Sequence, residues 1–273
     1  MSRITAGERK LLICQYYERF HQTQYLEWDP LLIVHQFKGS PAQEYVALIS
    51  ALLALGGVKQ IIVSVRSWVS RLDLQNQNLL DFTEAELLSR ASGFRHRFYV
   101  DRDLVLITLL YQRSVREYGG LAQHFLIHHQ ASNETVEEAL AGVINDYRSW
   151  AKMSDFKAGA HFAHLLNSPV QGSTCKRWLM YLKWMIRKDD GIDLGLWSEF
   201  SDLRPDQLLI PLDTHLFKIS KKLGLTHRKT ANWKTSIEVT RNLKKIDPLD
   251  PTRFDFSLCR FGMFDYRKML ADR

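Results

Sequence analysis

Cysteine is scarce in this 273-residue chain: there are three, Cys14, Cys175 and Cys259, far apart and without a CxxC pair. Such spacing argues against a disulfide framework and against a cysteine-bound zinc or iron–sulfur centre. Long apolar runs are missing as well. The longest stretches, such as "YVALISALLALGGV" at 45–58, fall short of the ~18–20 residues of a membrane span. The opening "MSRITAGERKLL" has no signal-peptide core or cleavage pattern, so a cytoplasmic location is expected. No GxxxxGK[ST], GxGxxG or GxSxG motif occurs. Nucleotide hydrolysis, dinucleotide binding and serine-hydrolase chemistry therefore lack support. Internal repeats, low-complexity tracts and long linkers are absent too.

What is present is an ordinary core-forming composition, 45% hydrophobic and 11% aromatic, with length enough for one large or two small domains. The net charge is +7, from 37 basic and 30 acidic residues, and it is unevenly placed. Residues 213–273 hold 14 Lys/Arg against 7 Asp/Glu, leaving 23 of each in residues 1–212. A local basic excess suggests a polyanion-binding surface, since phosphate neutralisation dominates nucleic-acid affinity. A solvated basic helix face is the plainer alternative.

Apolar residues recur at spacings of three and four along most of the chain, and alternation of period two is rare, which predicts an all-α protein. Helices are expected over 9–20, 41–55, 58–72, 101–119, 133–151, 173–187, 213–224 and 228–246, with a further one in "KAGAHFAHLL" at 157–166. Thr83 and Glu86 form a capping-box pattern. In the last helix, 250–264, Asp250 is expected as cap and Pro251 as first residue.

Two places could carry chemistry. In "GSTCKRWLMYLKWMIR" a glycine turn precedes a helix that Ser173 or Thr174 can cap, and Lys176 falls in its first turn. The positive helix end nudges such an amine towards its neutral, nucleophilic form. In "LIPLDTHLFKISKKLGL", Asp213 stands where an N-cap carboxylate is held as an anion. Taken singly, a surface lysine and a structural cap are the plainer readings. His161 and His164 have helical i,i+3 spacing without a third ligand nearby, and His128-His129 reads as a polar helix end; no metal or cofactor is expected.

Together and in order, the glycine turn, the early lysine and "IPLDTHLFKISKKLGL" resemble the helix-hairpin-helix core of the DNA glycosylase superfamily typified by endonuclease III and the 8-oxoguanine glycosylases. "EYVALISALLALGGVKQIIVSVRSWVSRL" (44–72) looks like that family's early helix pair, and "ASGFRHRFYVDRDLVLITLLYQRSVREYGG" (91–120) and "FDFSLCRFG" (254–262) are similar to later segments. The style is closest to archaeal 8-oxoguanine glycosylases, including an insertion-like 188–207, and to a related bacterial family with "CKR…RWM" and "IPLDTH" blocks. The chain departs from the family in having Thr174 at the second hairpin glycine, a separation of 37 positions from Lys176 to Asp213, and no C-terminal four-cysteine cluster.

The resemblance implies a two-lobed glycosylase-like unit over 1–273, with one lobe at 41–160 and the other at 161–273 together with an N-terminal helix in 5–40. It implies that a damaged base, 8-oxoguanine being favoured, is flipped from double-stranded DNA into a pocket between the lobes. Lys176 would be the Schiff-base nucleophile and Asp213 the catalytic carboxylate, giving base removal with β-lyase activity. Gly172, Ser173, Thr174, Lys183, His215, Lys218, Lys221, Lys222, Arg228 and Lys229 would contact DNA, and Trp184 or Trp197 would stack on the base. The enzyme is expected to act as a monomer, without cofactor or membrane. Two other readings stay open: a non-catalytic nucleic-acid-binding protein on the same scaffold, and a helical protein-interaction module whose basic end is incidental.

Overall fold

Most of the three-and-four periodicities are helices in the computed structural model, which describes residues 4–199 and 202–264. Phe200 and Ser201 of the insertion-like segment lie outside the described residues, as do 1–3 and 265–273. The chain is all-α, with twelve α-helices and one two-residue hairpin among the described residues. It divides into two compact units. One comprises the described residues up to Leu26, the short stretch Glu134–Val136 and those from Gly172 onward. The other comprises Glu27–Asn133 and Glu137–Gln171.

In the first unit, α1 (Ala6–Phe20) opens with a complete capping box between Thr5 and Glu8. The second unit follows with α2 (Leu31–His35), α3 (Gln43–Leu52) and α4 (Val58–Leu72). Next comes α5 (Glu84–Ala91), whose Thr83–Glu86 box is formed as the sequence predicts. A hairpin pairs β1 (Arg95–His96) with β2 (Tyr99–Val100), with Arg97 in the left-handed region at φ 55°. Two-residue strands leave no alternation to detect, so helical periodicity could not reveal them. The unit closes with α6 (Asp101–Tyr118), α7 (Leu121–Leu126) and α8 (Glu137–Met153). The segment 157–166 is not an α-helix as expected; only Phe162–Leu166 coils, as a 3-10 turn. His161 and His164 there pack around Phe98, one tilted and one edge-on, with ring centroids 4.7 and 5.4 Å away.

At the centre of this unit Tyr45 on α3 is 1% exposed, and its hydroxyl satisfies two buried groups. Trp68 Nε1 of α4 donates to it at 2.9 Å, and Thr108 Oγ1 of α6 lies 2.6 Å away. Three helices are thereby held in one register by polar groups inside an apolar interior.

The remaining helices belong to the first unit: α9 (Lys176–Ile186), α10 (Thr214–Lys222), α11 (Trp233–Lys244) and α12 (Phe254–Phe264). Its core joins α1, α10, α11 and α12 through Ile13, Phe20, Leu216, Ile219, Leu243, Leu258 and Phe261. Tyr16 of α1 stacks on Phe261 of α12 at 3.9 Å. Gly262 lets α10 come close, because a β-carbon there would stand 2.4 Å from Ile219 Cδ1. The apolar lead-in "LLIPL" is buried and anchored where Ile210 N donates to Thr240 Oγ1 of α11 at 2.9 Å.

Tyr45→Phe removes the acceptor for the buried Trp68 N–H. The expected loss is about 1–3 kcal/mol in a denaturant melt, with helix content unchanged by circular dichroism.

Candidate functional site

The turn before α9 begins with Gly172 at φ 75°, and the helix starts at Lys176. Neither Ser173 nor Thr174 caps it, contrary to the sequence reading. Cys175 is the cap residue, held left-handed at φ 47°, and its side chain makes no cap hydrogen bond. Ser173 Oγ instead accepts from Cys175 N at 3.2 Å, fixing the turn itself. Lys176 therefore sits at the first helical position of an N-terminus that has no side-chain acceptor at its cap.

Asp213 caps α10, and its two carboxylate oxygens have separate tasks. Oδ1 accepts from Leu216 N at 2.7 Å, the ordinary N-cap bond. Oδ2 faces the ammonium of Lys176 at 3.5 Å. At that length the contact is an ion pair rather than a tight hydrogen bond. Both side chains are about a quarter exposed, 29% and 26%. So exposed a pair contributes only about 0–1 kcal/mol to stability. The fold therefore gains little from bringing these two residues together.

Below this pair lies a buried charge network that the sequence reading did not contain. Lys183, seven residues after Lys176 on α9, is 2% exposed. Its ammonium is held between Asp193 at 3.2 Å and Asp255 of α12 at 3.1 Å. Arg187, at the end of α9, pairs with Asp190, Asp193 and Asp250. Asp250 precedes Pro251 as the cap residue expected, but its carboxylate is engaged by the Arg187 guanidinium and makes no side-chain cap bond. The acids arrive because residues 188–197 fold back over the end of α9: Leu194 N and Gly195 N donate to Trp184 O, and Trp197 N to Met185 O. Gly195, at φ 63°, is required there, since a β-carbon would stand 2.6 Å from Asp189 N.

Burial, with the Asp193 and Asp213 charges, pushes the Asp255 carboxyl up against the pull of Lys183. Burial also raises the Cys259 thiol, one turn along α12, with Asp255 and Asp213 adding to it. Asp255 and Cys259 thus share the electrostatic surroundings of Asp213. Their i,i+4 spacing in "FDFSLCRFG" is the one signal that could have suggested them. For Asp190, burial alone would raise the carboxyl. The hydrogen bond from His21, at 2.9 Å, and the Arg187 guanidinium outweigh that and hold it well below the usual carboxylate range.

Several proposed contacts need correction. Lys183 cannot reach a phosphate, because it is buried and doubly paired. Trp184 and Trp197 are 1% and 2% exposed and pack within the unit, Trp197 edge-on to Tyr181. In this conformation neither offers a face to a base. His215, Lys218, Lys221, Lys222, Arg228 and Lys229 are all exposed along α10 and the turn after it. Arg228 spends part of its charge on Glu238 at 2.6 Å. Gly172 is exposed, and Ser173 and Thr174 half-buried, at the α9 turn. The donor set of a metal site occurs once among the described residues, in the second unit, as His124, His128 and Asp146. Spacing could not suggest it, since the acid stands 18 residues beyond the nearer histidine.

An all-α protein with a lysine–aspartate pair at two helix starts and a basic helix beside it is the class these observations define. Residues 29–264 match the family described as "Protein of unknown function (DUF2400)". The match takes in well over half of the chain, so the protein belongs to that family. No curated protein and no solved structure shows a significant match.

Lys183→Met should be severe, because it strands the buried Asp255 carboxylate and leaves Asp193 to Arg187 alone. A loss of about 3–5 kcal/mol is expected in a urea melt, whereas exposed Lys218→Met should stay within about 0.5 kcal/mol. The depressed Asp190 carboxyl favours the folded state above its unfolded value, near ~4, and that contribution disappears as pH falls through the folded value. Melts between about pH 5 and 2 should therefore show a smaller loss of stability in Asp190→Asn than in the parent chain.

Proposed function

We propose that the protein is a DNA glycosylase with β-lyase activity that removes an oxidised purine, 8-oxoguanine being the favoured lesion. The observation that carries this reading is the approach of Lys176 Nζ to Asp213 Oδ2 at 3.5 Å, at a solvent-reachable point where two helices of the first unit begin. An amine and a carboxylate so placed are what the reaction needs. Asp213 stabilises positive charge developing on the sugar as the glycosidic bond breaks. The Lys176 ammonium first passes a proton to Asp213 or to water; the free amine then attacks C1′, the base leaves with the bonding electron pair, and the new C–N nitrogen sheds its extra proton to water. Ring opening then yields an imine from which β-elimination can cut the strand.

The chain supports DNA binding in two further ways. The α9 N-terminus, with no side-chain cap and a glycine turn before it, is suited to a backbone phosphate. The exposed cations of α10 and its following turn would add sequence-independent affinity that weakens with salt. A flipped base would need a stacking partner other than Trp184 or Trp197.

Borohydride trapping on a duplex with a single 8-oxoguanine tests the proposal. A covalent protein–DNA adduct is expected for the parent chain, none for Lys176→Gln, and a yield lowered by about 10²-fold or more for Asp213→Asn. Salt-sensitive DNA binding without adduct or base release, across a panel of lesions and unchanged in both variants, would replace the enzyme with a non-catalytic DNA-binding protein.

A further inference from the structure

The second unit holds a cluster that the glycosylase reading does not use. His124 on α7 and His128 just beyond it both turn towards Asp146 on α8. His124 Nε2 lies 3.0 Å and His128 Nε2 2.6 Å from the same oxygen, Asp146 Oδ2. The three donor atoms lie within 4.8 Å of one another. Each histidine is held from behind. His124 is fully buried, packs near-parallel to Tyr118 at 4.4 Å and to Trp150 at 5.2 Å, and its Nδ1 is 2.9 Å from Ser114 Oγ on α6. The His128 ring lies over Gly142, one turn before Asp146 on α8. A β-carbon at 142 would stand 2.3 Å from His128 Cγ, so the space for this ring depends on the missing side chain.

Ser114 Oγ lies within hydrogen-bond reach of Leu110 O at 3.2 Å, the Tyr147 hydroxyl at 3.0 Å and His124 Nδ1 at 2.9 Å, so this hydroxyl holds the second nitrogen of the His124 ring while Nε2 faces Asp146. Metal-ligating histidines typically have their second nitrogen anchored in this manner. Two imidazoles and a carboxylate form a donor set for a borderline divalent ion such as Zn2+. His128 and Asp146 are 29% and 25% exposed, which leaves water access on that side.

We propose that His124, His128 and Asp146 bind one divalent transition-metal ion of the zinc class, with the remaining coordination positions open to water. Bound there, the ion ties the end of α7 to α8.

The test is Zn2+ titration of the chelator-treated full chain, read by competition with a zinc indicator and by the visible absorption of a Co2+-loaded sample. One Zn2+ per chain is expected, with Asp146→Asn and His128→Ala each weakening it by more than the about 10–100-fold typical of losing a mere supporting partner. The Co2+ bands should vanish in both variants, and Zn2+ should raise the melting temperature of the parent chain alone. Circular dichroism checks the variants, and if His128→Ala does not fold, the near-isosteric Asp146→Asn decides. Failure of the parent chain to take up stoichiometric Zn2+, or uptake that Asp146→Asn leaves unchanged, overturns the proposal.

Discussion

Two cations buried on one helix govern the first unit. Lys183 and Arg187 of α9 are 2% and 4% exposed, and an unpaired charge at such depth costs several kcal/mol. Carboxylates must therefore be brought to them from three directions: Asp193 and Asp190 from the segment that folds back over the helix end, Asp250 from the turn before α12, and Asp255 from α12 itself. A network of this kind fixes the rotation of α9 about its axis. Lys176, seven residues earlier and so on the same helix face, inherits its direction from that rotation.

The Lys176–Asp213 pair is then a meeting of two helix starts whose positions are set elsewhere. Asp213 is held by its own cap bond and by the core that α10 shares with α1 and α12. Because Oδ1 is occupied by Leu216 N, Oδ2 remains for the lysine. Capping and chemistry do not compete for the same atom.

The two units place polar groups in contrasting ways. In the second, neutral groups such as Tyr45, Trp68 and Thr108 satisfy one another inside the core, and the histidine–aspartate cluster sits at its half-open margin. In the first, full charges lie buried beneath the proposed reactive surface. Asp255 and Cys259 feel Asp213 electrostatically, so the site's charge balance depends on residues that no ligand needs to touch.

Local chemistry was legible in the sequence. Helix 58–72, the Thr83–Glu86 box and the Asp213 cap follow from spacing and from side chains that reach only three residues along the chain. The same local reasoning failed where a side chain had a better distant partner. Asp250 keeps its cap position before Pro251 but gives its carboxylate to Arg187, 63 residues away, and Ser173 closes its own turn instead of capping α9. Lys183 looks like a surface candidate as a letter, yet packing buries it, and Trp184 and Trp197 are core residues, as tryptophans more often are. Periodicity states that a helix has an apolar face but not how wide that face is. The sequence by itself determined most of the longer helices, the basic C-terminal region and the two candidate residues. Tertiary structure alone decided that Lys176 meets Asp213, that Asp255 lies beneath them, and that two histidines converge on Asp146. Those distances depend on how helices pack, and packing is a property of the whole chain rather than of any window along it.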